Sequence, residues 1–404
     1  MRRRRRRRHR HDRRRRRPRP ARRLRAGAVV VDVPFVIAGA GIAGLALAAG
    51  LQRTETAMPY LLLDERPELG SAGGAITLWP NAMVALDEIG VGDDVRRAGH
   101  ALGAGTIRTR TGRVLRSLDL ERSAAVLGGP LVAVRRGDLV EILHDRIKPG
   151  SVRLGVAVRG YRQDEDVVQV VTDGDPVAAV ALVGADGYRS EVARVLDPGL
   201  PERYAGFPAW RGIADTGGLE PVQLWGSRQE FGVVPLGDGA AYWFATVREP
   251  AGGTAESELA HLRTAFSGWP NPVQQVLDAT APAAVSRNDV MDRALPRRWT
   301  DGRVVVIGDA AHAMRPHLGQ GGCQALIDAA VLARLLRQAD SPAAAFTAFE
   351  KMRRAPARRV VSLSRAAGRA IDAPAGLHRV SQLLPDPLML RTLAKIGGTG
   401  AYPW

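Results

Sequence analysis

Short apolar runs alternate with helix-like stretches through the first part of the chain. Residues 35–38 form an apolar, strand-like run that meets the glycine-rich segment GAGIAG (39–44), and residues 45–53 then have a helical pattern. A second apolar run at 60–63 ends in the polar triplet DER (64–66). This order predicts a strand, a tight turn, a helix and a second strand that closes on an acidic residue.

Farther along, the pattern changes its period several times. A helix is predicted for residues 81–90, with Asn81 as its N-cap and Gly90 just after its end. Residues 106–120 predict a hairpin that turns at Thr111-Gly112. The other predicted elements are a helix at 139–147, β-rich segments at 152–182 and 205–247, a helical stretch at 255–278, and helices at 324–337, 343–352 and 358–371. Together they predict one composite nucleotide-binding domain with an inserted sheet domain.

The spacing within the first unit matches a dinucleotide-binding fingerprint. Gly39 permits the tight turn, Gly41 lets the backbone approach a pyrophosphate, and Gly44 lets the helix pack closely on the strand. Glu65 lies 21 residues after Gly44, where a carboxylate can accept hydrogen bonds from a ribose hydroxyl. The N-terminus of the helix would face the phosphates. A glycine-rich turn without a ligand is the alternative.

The formal net charge of +17 would indicate a nucleic-acid binder if it were spread over the chain, but it is concentrated in one segment. Residues 1–25 hold 17 arginines and one aspartate, whereas the other residues hold 41 basic and 40 acidic side chains. Residues 1–28 have almost nothing to bury, which predicts a disordered arginine-rich tail. A nucleic-acid-binding arm is the alternative. We expect no specific nucleic-acid partner.

An apolar segment at 27–51 follows the basic residues and is similar to the start of a secretory signal. Asp32 and Pro34 interrupt it, and its glycines have the role given above. No other stretch approaches the roughly 20 apolar residues that span a bilayer. The single cysteine, Cys323, excludes an intramolecular disulfide framework and is predicted to be a packed residue. We therefore expect a cytoplasmic protein without a membrane span.

Four motifs together carry a resemblance to one protein family. They are GAGIAG (39–44) with Glu65-Arg66, AGGAITLWPNA (72–82), VGADGYRS (183–190), and GDAAH (308–312) followed by PHLGQG (316–321). In the order and spacing of these motifs, the chain resembles single-component FAD-dependent aromatic hydroxylases of the para-hydroxybenzoate hydroxylase fold. It is nearest to the bacterial hydroxybenzoate and urate hydroxylases, and the resemblance runs from about residue 33 to the C-terminus.

The resemblance implies an α/β fold with a Rossmann-like FAD-binding domain of the GR2/PHBH type, an inserted β-sheet substrate domain and C-terminal helices. Both domains are discontinuous in sequence. The predicted boundaries are 33–103, 125–200 and 295–372 for the FAD-binding domain, 104–124 and 201–294 for the substrate-binding sheet domain, and 373–404 for the C-terminal segment.

The same resemblance implies a set of contacts to bound FAD. Asp309 closes an apolar run, where burial of an unpaired carboxylate would be costly, and the family's aspartate binds the ribityl chain; a helix N-cap is the alternative. Arg136 matches the family's arginine, with Arg135 as the alternative register, and Asp186 is otherwise a turn residue. The predicted cofactor-binding residues are Gly39, Gly41, Ala43, Gly44, Glu65, Arg66, Arg136, Val158, Asp186, Asp309, Pro316, Gly319, Gln320, Gly321 and Gly322. No metal site is predicted.

The segment 308–323 also contains two histidines. The resemblance places His312 in a structural position and His317 beside Pro316, next to the flavin ring. Because an unperturbed imidazole titrates near neutrality, His317 is predicted to act on the substrate by acid–base catalysis or hydrogen bonding. A bystander is the alternative. Tyr242 is predicted to be a catalytic residue that lines the substrate face together with Trp225, and ordinary sheet packing is the alternative.

The reaction that the resemblance implies is hydroxylation of an aromatic substrate, either phenolic or heteroaromatic. NADH or NADPH reduces FAD, dioxygen is captured as a flavin hydroperoxide, and one oxygen is delivered to the substrate. The chain has no second GxGxxG unit, which fits a family in which NAD(P)H binds transiently. The alternatives are an alkene epoxidase of the same fold, a flavin-dependent oxidoreductase without oxygenation, and a basic-tail binding protein with a decayed flavin fold.

The chain departs from the family pattern in four places. The helix after GQG carries Ile327-Asp328 where the family often has Glu-Asp. The Asp-Gly motif is followed by an arginine one position late, at Arg194. Glu230 stands where the related urate hydroxylases carry an arginine, and His317 stands where they carry an acid, although Tyr242 is kept. We therefore expect a substrate other than urate.

Overall fold

The computed structural model describes residues 34–53, 58–70, 74–374, 377–378 and 385–401. The predicted arginine-rich tail (1–28) and the first two residues of the second motif (72–73) lie outside these described residues. Within them, no helix combines the length and the apolar character that a membrane crossing requires.

Strands and helices alternate along the described chain. The strands are β1 (Phe35–Ala38), β2 (Tyr60–Asp64), β3 (Ala75–Leu78), β4 (His100–Ala101), β5 (Ala104–Thr109), β6 (Val114–Asp119), β7 (Val132–Arg135), β8 (Val152–Leu154), β9 (Val158–Gln163), β10 (Val168–Thr172), β11 (Val177–Ala179), β12 (Ala181–Gly184), β13 (Glu202–Asp215), β14 (Val222–Gly226), β15 (Gln229–Gly237), β16 (Ala240–Val247), β17 (Ser286–Arg293), β18 (Thr300–Asp301) and β19 (Val304–Val306). The α-helices are α1 (Ile42–Leu51), α2 (Pro80–Ile89), α3 (Gly92–Ala98), α4 (Leu120–Leu127), α5 (Arg136–His144), α6 (Glu191–Leu196), α7 (Glu258–Ala265), α8 (Val273–Ala279), α9 (Asp309–His312), α10 (Gly321–Gln338), α11 (Pro342–Ile371) and α12 (Asp386–Gly397).

A six-stranded sheet in the order β18-β19-β12-β1-β2-β8 forms the first large layer, and it is parallel from β19 to β8. The strand β1 is apolar and wholly buried, as a parallel strand covered on both faces requires. Three predicted motifs follow the neighbouring strands β1, β12 and β19. Gly39, Asp186 and Asp309 therefore lie at the carboxyl edge of the sheet, where open α/β sheets bind their ligands.

A seven-stranded sheet in the order β17-β13-β16-β15-β14-β5-β6 forms the second large layer. It includes the predicted hairpin, β5–β6. One face buries Trp210, Phe231 and Trp243 against α7 and α8. The domain boundaries stay a prediction, although the sheet joins the hairpin to strands that lie much later in the chain.

The opposite face of this sheet meets a small sheet of order β3-β7-β4. Tyr242 and Val234 pack there against a cluster that contains Leu131 and Ala133. Tyr242 is only half-buried. The neighbouring residues Val132 and Val134 of β7 belong to the core of the six-stranded sheet, so β7 links the two large layers. A second small sheet has the order β11-β10-β9.

One prediction about the C-terminal helices is wrong. The sequence predicts two helices, at 343–352 and 358–371, but α11 is a single helix with Pro356 inside it. A proline removes one backbone donor from a helix and clashes with the preceding turn. Here Phe349 before the proline and Val360 after it are both buried, so tertiary packing outweighs the local preference.

The predicted N-cap of α2 is also wrong, whereas the predicted end of this helix is right. Trp79 occupies the N-cap position and Pro80 is the first helical residue, where its missing N–H costs nothing. The buried Asn81 amide instead donates to Gln320 Oε1 at 3.2 Å and to the Ile396 carbonyl at 2.9 Å. Gly90 follows the helix with a φ of 91°.

A buried carboxylate, Asp328 in α10, holds the loop after β19. Its Oδ2 accepts a hydrogen bond from the backbone N–H of Gly308 at 2.9 Å and lies 2.6 Å from His312 Nε2. Its Oδ1 accepts a hydrogen bond from Arg353 Nε at 2.7 Å. Burial alone would raise the pKa of Asp328, but His312 and Arg353 hold that pKa below its usual range. The structural role predicted for His312 agrees with this contact.

We expect Asp328→Ala to lower the free energy of unfolding by about 3–5 kcal/mol, because Arg353 would lose its buried carboxylate partner. Denaturant unfolding of the apoprotein measures this loss. The matched control is Asp340→Ala, an exposed residue just beyond α10, which should change stability little. Equal midpoints for the two variants would contradict a stabilising role for the Asp328 contacts.

Candidate active site

The three glycines of the first turn are needed for different structural reasons. Gly39 has a φ of 103°, and a Cβ there would overlap the Ala185 carbonyl oxygen. A Cβ on Gly44 would overlap the Gly39 carbonyl oxygen, so this glycine lets α1 lie against the turn. Gly41 differs, because a Cβ there would meet no protein atom within 4 Å. The space beside Gly41 is open to a ligand at the start of α1, which no side chain caps.

The carboxylate that meets this turn belongs to Asp64 and not to its neighbour. Oδ2 of the buried Asp64 accepts a hydrogen bond from the Ala40 N–H at 2.6 Å. Arg66 donates to both Asp64 oxygens, at 2.9 and 3.0 Å, and to the Ala40 carbonyl at 3.3 Å. Glu65 is exposed and lies 3.9 Å from Arg159. Asp64 is the last residue of β2 and Glu65 lies beyond the strand, so a difference of one position decides which acid meets the glycine-rich turn.

Val158 begins β9 near this acidic end. The backbone N–H groups of Gly155 and Val156 donate to the Arg66 and Asp64 carbonyls, which brings the start of β9 beside the end of β2. The Val158 side chain itself packs on the hydrophobic core. Only its backbone is therefore suited to a contact with the adenine end of a dinucleotide.

Asp186 offers an unused hydrogen-bond acceptor at the end of β12. Its Oδ2 accepts a hydrogen bond from the Val192 N–H at 3.2 Å. Its Oδ1 is buried and has no hydrogen-bond partner among the described residues. Burial raises the pKa of Asp186. A donor group on a ligand would remove the cost of this unsatisfied oxygen.

Asp309 is exposed, and the burial expected for it is not found. It is the first residue of α9, and Gly308 occupies the N-cap position without any side-chain cap, so the N-cap alternative is not found either. Gly308 has a φ of 59°, and a Cβ on it would come within 2.9 Å of the Ala43 Cβ. This close approach sets Asp309 beside the first turn of α1.

A residue outside the predicted motifs, Arg293, joins the loops that carry these two aspartates. Arg293 is 3% exposed, and it donates to the Tyr188 carbonyl at 2.8 Å and to the Asp309 carbonyl at 2.9 Å. Burial lowers its pKa, and the charges of Asp186 and Asp309 oppose that effect. No sequence signal marks this residue, because arginine is abundant throughout the chain.

The adjacent arginines 135 and 136 point in different directions. Arg135 donates to Asp238 at 3.5 Å on the surface. Arg136 is the first residue of α5, and its side chain is accessible to solvent. Protein atoms on several sides of the guanidinium nevertheless lower its pKa by desolvation, and the charge of Asp309 opposes that effect. A guanidinium with both properties lies in an open cleft. Arg136 is therefore the arginine that shares the cleft with Asp309.

Pro316 begins a short 3-10 helix, Pro316–Leu318, which Gly319 ends with a φ of 61°. The helix α10 then starts at Gly321 without a side-chain cap, so its first N–H groups are available to a ligand. A Cβ on Gly322 would overlap Ile76, whereas the nearest atom to a Cβ on Gly321 would be 3.9 Å away. Gly322 is thus required for packing, and Gly321 borders free space.

Gln320 lies just before α10, and its side-chain Nε2 is buried without a hydrogen-bond partner among the described residues. Its side chain is fully buried, and its Oε1 accepts hydrogen bonds from Asn81 and Gln324. The contact fixes the residue just before α10.

The half-buried face of the seven-stranded sheet borders the same cleft. Tyr242 and Phe244 lie on this face with their rings 6.2 Å apart. Arg211 of the adjacent strand β13 lies beside the Tyr242 hydroxyl, and its Nη1 is 3.5 Å from Asn288 Oδ1. Burial raises the pKa of Tyr242, while Arg211 and Arg136 oppose that rise. The face therefore combines aromatic rings with two cationic groups.

These features fit FAD. An extended dinucleotide requires an open helix N-terminus for its pyrophosphate, an acid for its ribose and donors along its ring system. The space at Gly41, the carboxylate of Asp64, the buried acceptor on Asp186 and the uncapped starts of α1 and α10 supply these features along one edge of the sheet.

Comparison with known proteins decides the family. The family described as "FAD binding domain" matches residues 32–364. The chain is 38% identical over 354 residues to the aurachin C monooxygenase/isomerase of Stigmatella aurantiaca, covering 86% of this chain and 88% of that protein. It is 31% identical over 328 residues to the FAD-dependent urate hydroxylase of Klebsiella pneumoniae, covering 79% and 85%. The chain belongs to the FAD-dependent monooxygenases.

The fold of this monooxygenase agrees with that of a solved relative. The crystal structure of Klebsiella pneumoniae HpxO complexed with FAD and uric acid has a TM-score of 0.83 to this chain at 27% identity, covering 90% of this chain and 97% of HpxO. The resemblance seen in the sequence, the fold class and FAD as the cofactor are thereby confirmed.

His317 of the monooxygenase is packed between two elements. Its ring lies 5.3 Å from that of Phe207, and a Cβ on Gly368 of α11 would come within 2.6 Å of its Cε1. Its Nδ1 is buried and has no hydrogen-bond partner among the described residues. Burial lowers the pKa of His317 to about 4. The ring is therefore neutral near pH 7 and suits hydrogen bonding better than proton transfer.

Two other sequence expectations concern residues away from the cofactor. Cys323 is fully buried, and burial raises its pKa to about 12, which fits a packed residue. Arg194 forms ion pairs with Glu191 and Glu202, both at 2.5 Å. These pairs hold its side chain on the surface of α6.

We expect Gly41→Ala to weaken FAD binding at least about tenfold, equivalent to about 1.4 kcal/mol, because the new methyl group enters the space beside the helix N-terminus. Apoprotein stability should not change, since the φ of −78° suits alanine and the Cβ meets no protein atom. Titration of the apoprotein with FAD and thermal melting measure the two effects.

Gly44→Ala serves as the matched control, because its Cβ would overlap backbone and should lower the melting temperature of the apoprotein. If Gly41→Ala bound FAD as tightly as the parent protein, the pyrophosphate would not lie at this turn.

Proposed function

We propose that this monooxygenase uses NADH or NADPH and dioxygen to hydroxylate an aromatic substrate, either phenolic or heteroaromatic. The observation that carries the proposal is the meeting of Tyr242, Arg211 and Arg136 where the half-buried sheet face borders the cofactor cleft. A ring bound on this face would have a hydrogen-bond donor and two cations near one end.

FAD, when bound, accepts a hydride from NAD(P)H and activates dioxygen for transfer to the substrate. We assign the pyrophosphate to the turn at 39–44 and the ribose to Asp64, in place of Glu65. We assign the ribityl chain to the neighbourhood of Asp309 and the ring to the backbone of residues 319–322.

Arg211 and Arg136 would activate a phenolic substrate through their charge. A nearby cation stabilises the ionised form of a phenol, and a phenolate is more electron-rich at its ring carbons than the neutral phenol. Tyr242 keeps its own proton near neutral pH, since burial raises its pKa, and it can donate a hydrogen bond to the substrate oxygen. Phe244 and Trp225, on the same face, would exclude water from the reacting ring.

The relatives named above are a urate hydroxylase and an aurachin C monooxygenase/isomerase, so the family alone does not define the substrate. We keep the proposal that urate is not the substrate, because urate is an anion and the carboxylate of Glu230 would repel it. We also propose the division into an FAD-binding and a substrate-binding domain and a cytoplasmic location, which fits the use of NAD(P)H and the single cysteine.

The purified protein should carry FAD and should oxidise NADH or NADPH faster when a suitable phenol or heteroaromatic compound is added. With isotope-labelled dioxygen, the product should contain one labelled oxygen atom on the ring. Oxygen uptake and product mass are measured together over a panel of aromatic compounds. Hydrogen peroxide as the only product across the panel would contradict the proposal, as would a protein that binds no FAD.

We expect His317→Gln to lower the fraction of NAD(P)H oxidation that yields hydroxylated product, while FAD affinity stays the same. The coupled fraction should fall about tenfold, which corresponds to the free energy of one hydrogen bond. This loss should be the same at all pH values between about 6 and 8, because the pKa of His317 is about 4 and the ring stays neutral there. Exposed His144, changed to glutamine, is the control. Unchanged coupling in the His317 variant would remove this residue from the reaction.

A further inference from the structure

A buried carboxyl group, that of Glu230, lies on the substrate face of the sheet without an evident structural reason. Glu230 is 2% exposed, and the strand register pairs it with Trp225 of β14 and with Thr246 of β16. In the same register Val234 pairs with Tyr242, and directly paired residues share a face. Glu230 therefore lies on the face that carries Tyr242, four residues farther along the strand.

No positive charge compensates this carboxyl group. Its hydrogen-bond partner is Gln223, whose side-chain amide donates to Oε1. Among the described residues no cation lies within ion-pair distance of it, and the charge that acts on it most is the like charge of Asp372. Burial raises the pKa of Glu230 to about 7. A buried acid without a cation is costly in a core position and is typical of functional sites.

The surroundings of Glu230 connect it to the cofactor side of the pocket. Asp372, just after α11, forms an ion pair with Arg248, and its charge acts on both Glu230 and His317. Glu230 and His317 are therefore both affected by the same carboxylate, that of Asp372. Of the two, only His317 packs directly on α11, against Gly368.

A hydrogen-bond donor lies directly across the strand pair. The indole N–H of Trp225 is buried and has no hydrogen-bond partner among the described residues. The Trp225 ring contacts the His378 ring at 5.7 Å, with the planes at 71°. Glu230 and Trp225 thus present an acceptor and a free donor side by side, as a polar group on a ligand would require.

The two ends of this face have opposite polarity. Tyr242, with Arg211 and Arg136, marks one end, and Glu230 marks the other about 13 Å away, from a rise of about 3.3 Å for each of four residues. Phe244 lies between them, with its ring over Gly232. A flat ligand that lies on this sheet face would place an electron-rich oxygen at the end near Arg211 and Arg136.

We infer that Glu230 is a specificity-determining residue that accepts a hydrogen bond from a donor group on the substrate, at the end remote from the activated oxygen. The inference rests on the proposed function, because it names the substrate class of that same site. The class is an aromatic compound with an acidic hydroxyl at one end and a ring N–H, amide or hydroxyl at the other. Compounds with a carboxylate at the second end are repelled.

Two matched probes test this inference in the FAD-loaded, oxidised enzyme. They are 6-hydroxy-2-naphthamide and 6-hydroxy-2-naphthoate, which share a hydroxyl end and differ in the charge at the other. Binding is followed by the change in flavin absorbance, so no turnover is needed. At about pH 8 the amide should bind about tenfold more tightly than the carboxylate, because the ionised Glu230 repels the anion.

The selectivity should depend on pH in a defined direction. As the pH falls through about 7, Glu230 takes up a proton, and the carboxylate probe should approach the affinity of the amide. The other ionisable groups are Asp372, whose charge acts on Glu230 directly, Arg248 and His317, which interact with Asp372, and His378, which contacts Trp225. Glu230→Gln should remove most of the selectivity and its pH dependence together, since glutamine keeps the shape and loses the charge.

Glu220→Gln is the control, because Glu220 is exposed in the loop before β14 and should leave the selectivity as it is. The pH dependence of the two probe affinities in the parent enzyme requires no variant and tests the inference by itself. Equal affinities for the two probes at about pH 8, no binding of the amide, or selectivity that survives in Glu230→Gln would each overturn it. Failure of the proposed function is separate, since it would show as product-free oxidation of NAD(P)H whatever the probes do.

Discussion

The charge of Asp328 cannot reach water, and the position of the whole loop after β19 follows from how that charge is satisfied. The backbone N–H of Gly308, the ring of His312 and the guanidinium of Arg353 come from three different parts of the chain and converge on one carboxylate. A buried ion pair contributes little net stability compared with apolar packing, but it tolerates few alternative geometries. The direction in which Asp309 leaves the sheet is set by these contacts.

The parts that follow local backbone rules could be predicted from the sequence. Gly39 and Gly44 are required because atoms of the neighbouring backbone leave no room for a Cβ, and such crowding recurs wherever a strand, a turn and a helix follow in this order. Gly90 belongs to the same class, since a left-handed residue after a helix is read from its type alone. The order of these elements was enough to predict a dinucleotide-binding unit, and the resemblance to a known family added the flavin.

The parts that depend on which way a side chain points could not be predicted in this way. Asp64 and Glu65 are adjacent acids, and only the strand geometry decides which one meets the glycine-rich turn. Asn81 has the type of an N-cap but supports Gln320, because Pro80 already starts the helix. The alternation Tyr242, Trp243, Phe244 contains one core residue between two residues of the cleft, and the register with β15 was needed to separate them.

The amide of Asn81 also connects distant parts of the chain, because it donates to Gln320 before α10 and to the Ile396 carbonyl in α12. The acceptor in α12 is a backbone atom, which every amino acid supplies. Sequence drift at position 396 can therefore proceed without loss of this link, provided that the helix itself persists. Divergent members of such a family could keep the flavin-side loop in place with a C-terminal helix that shares almost no residues.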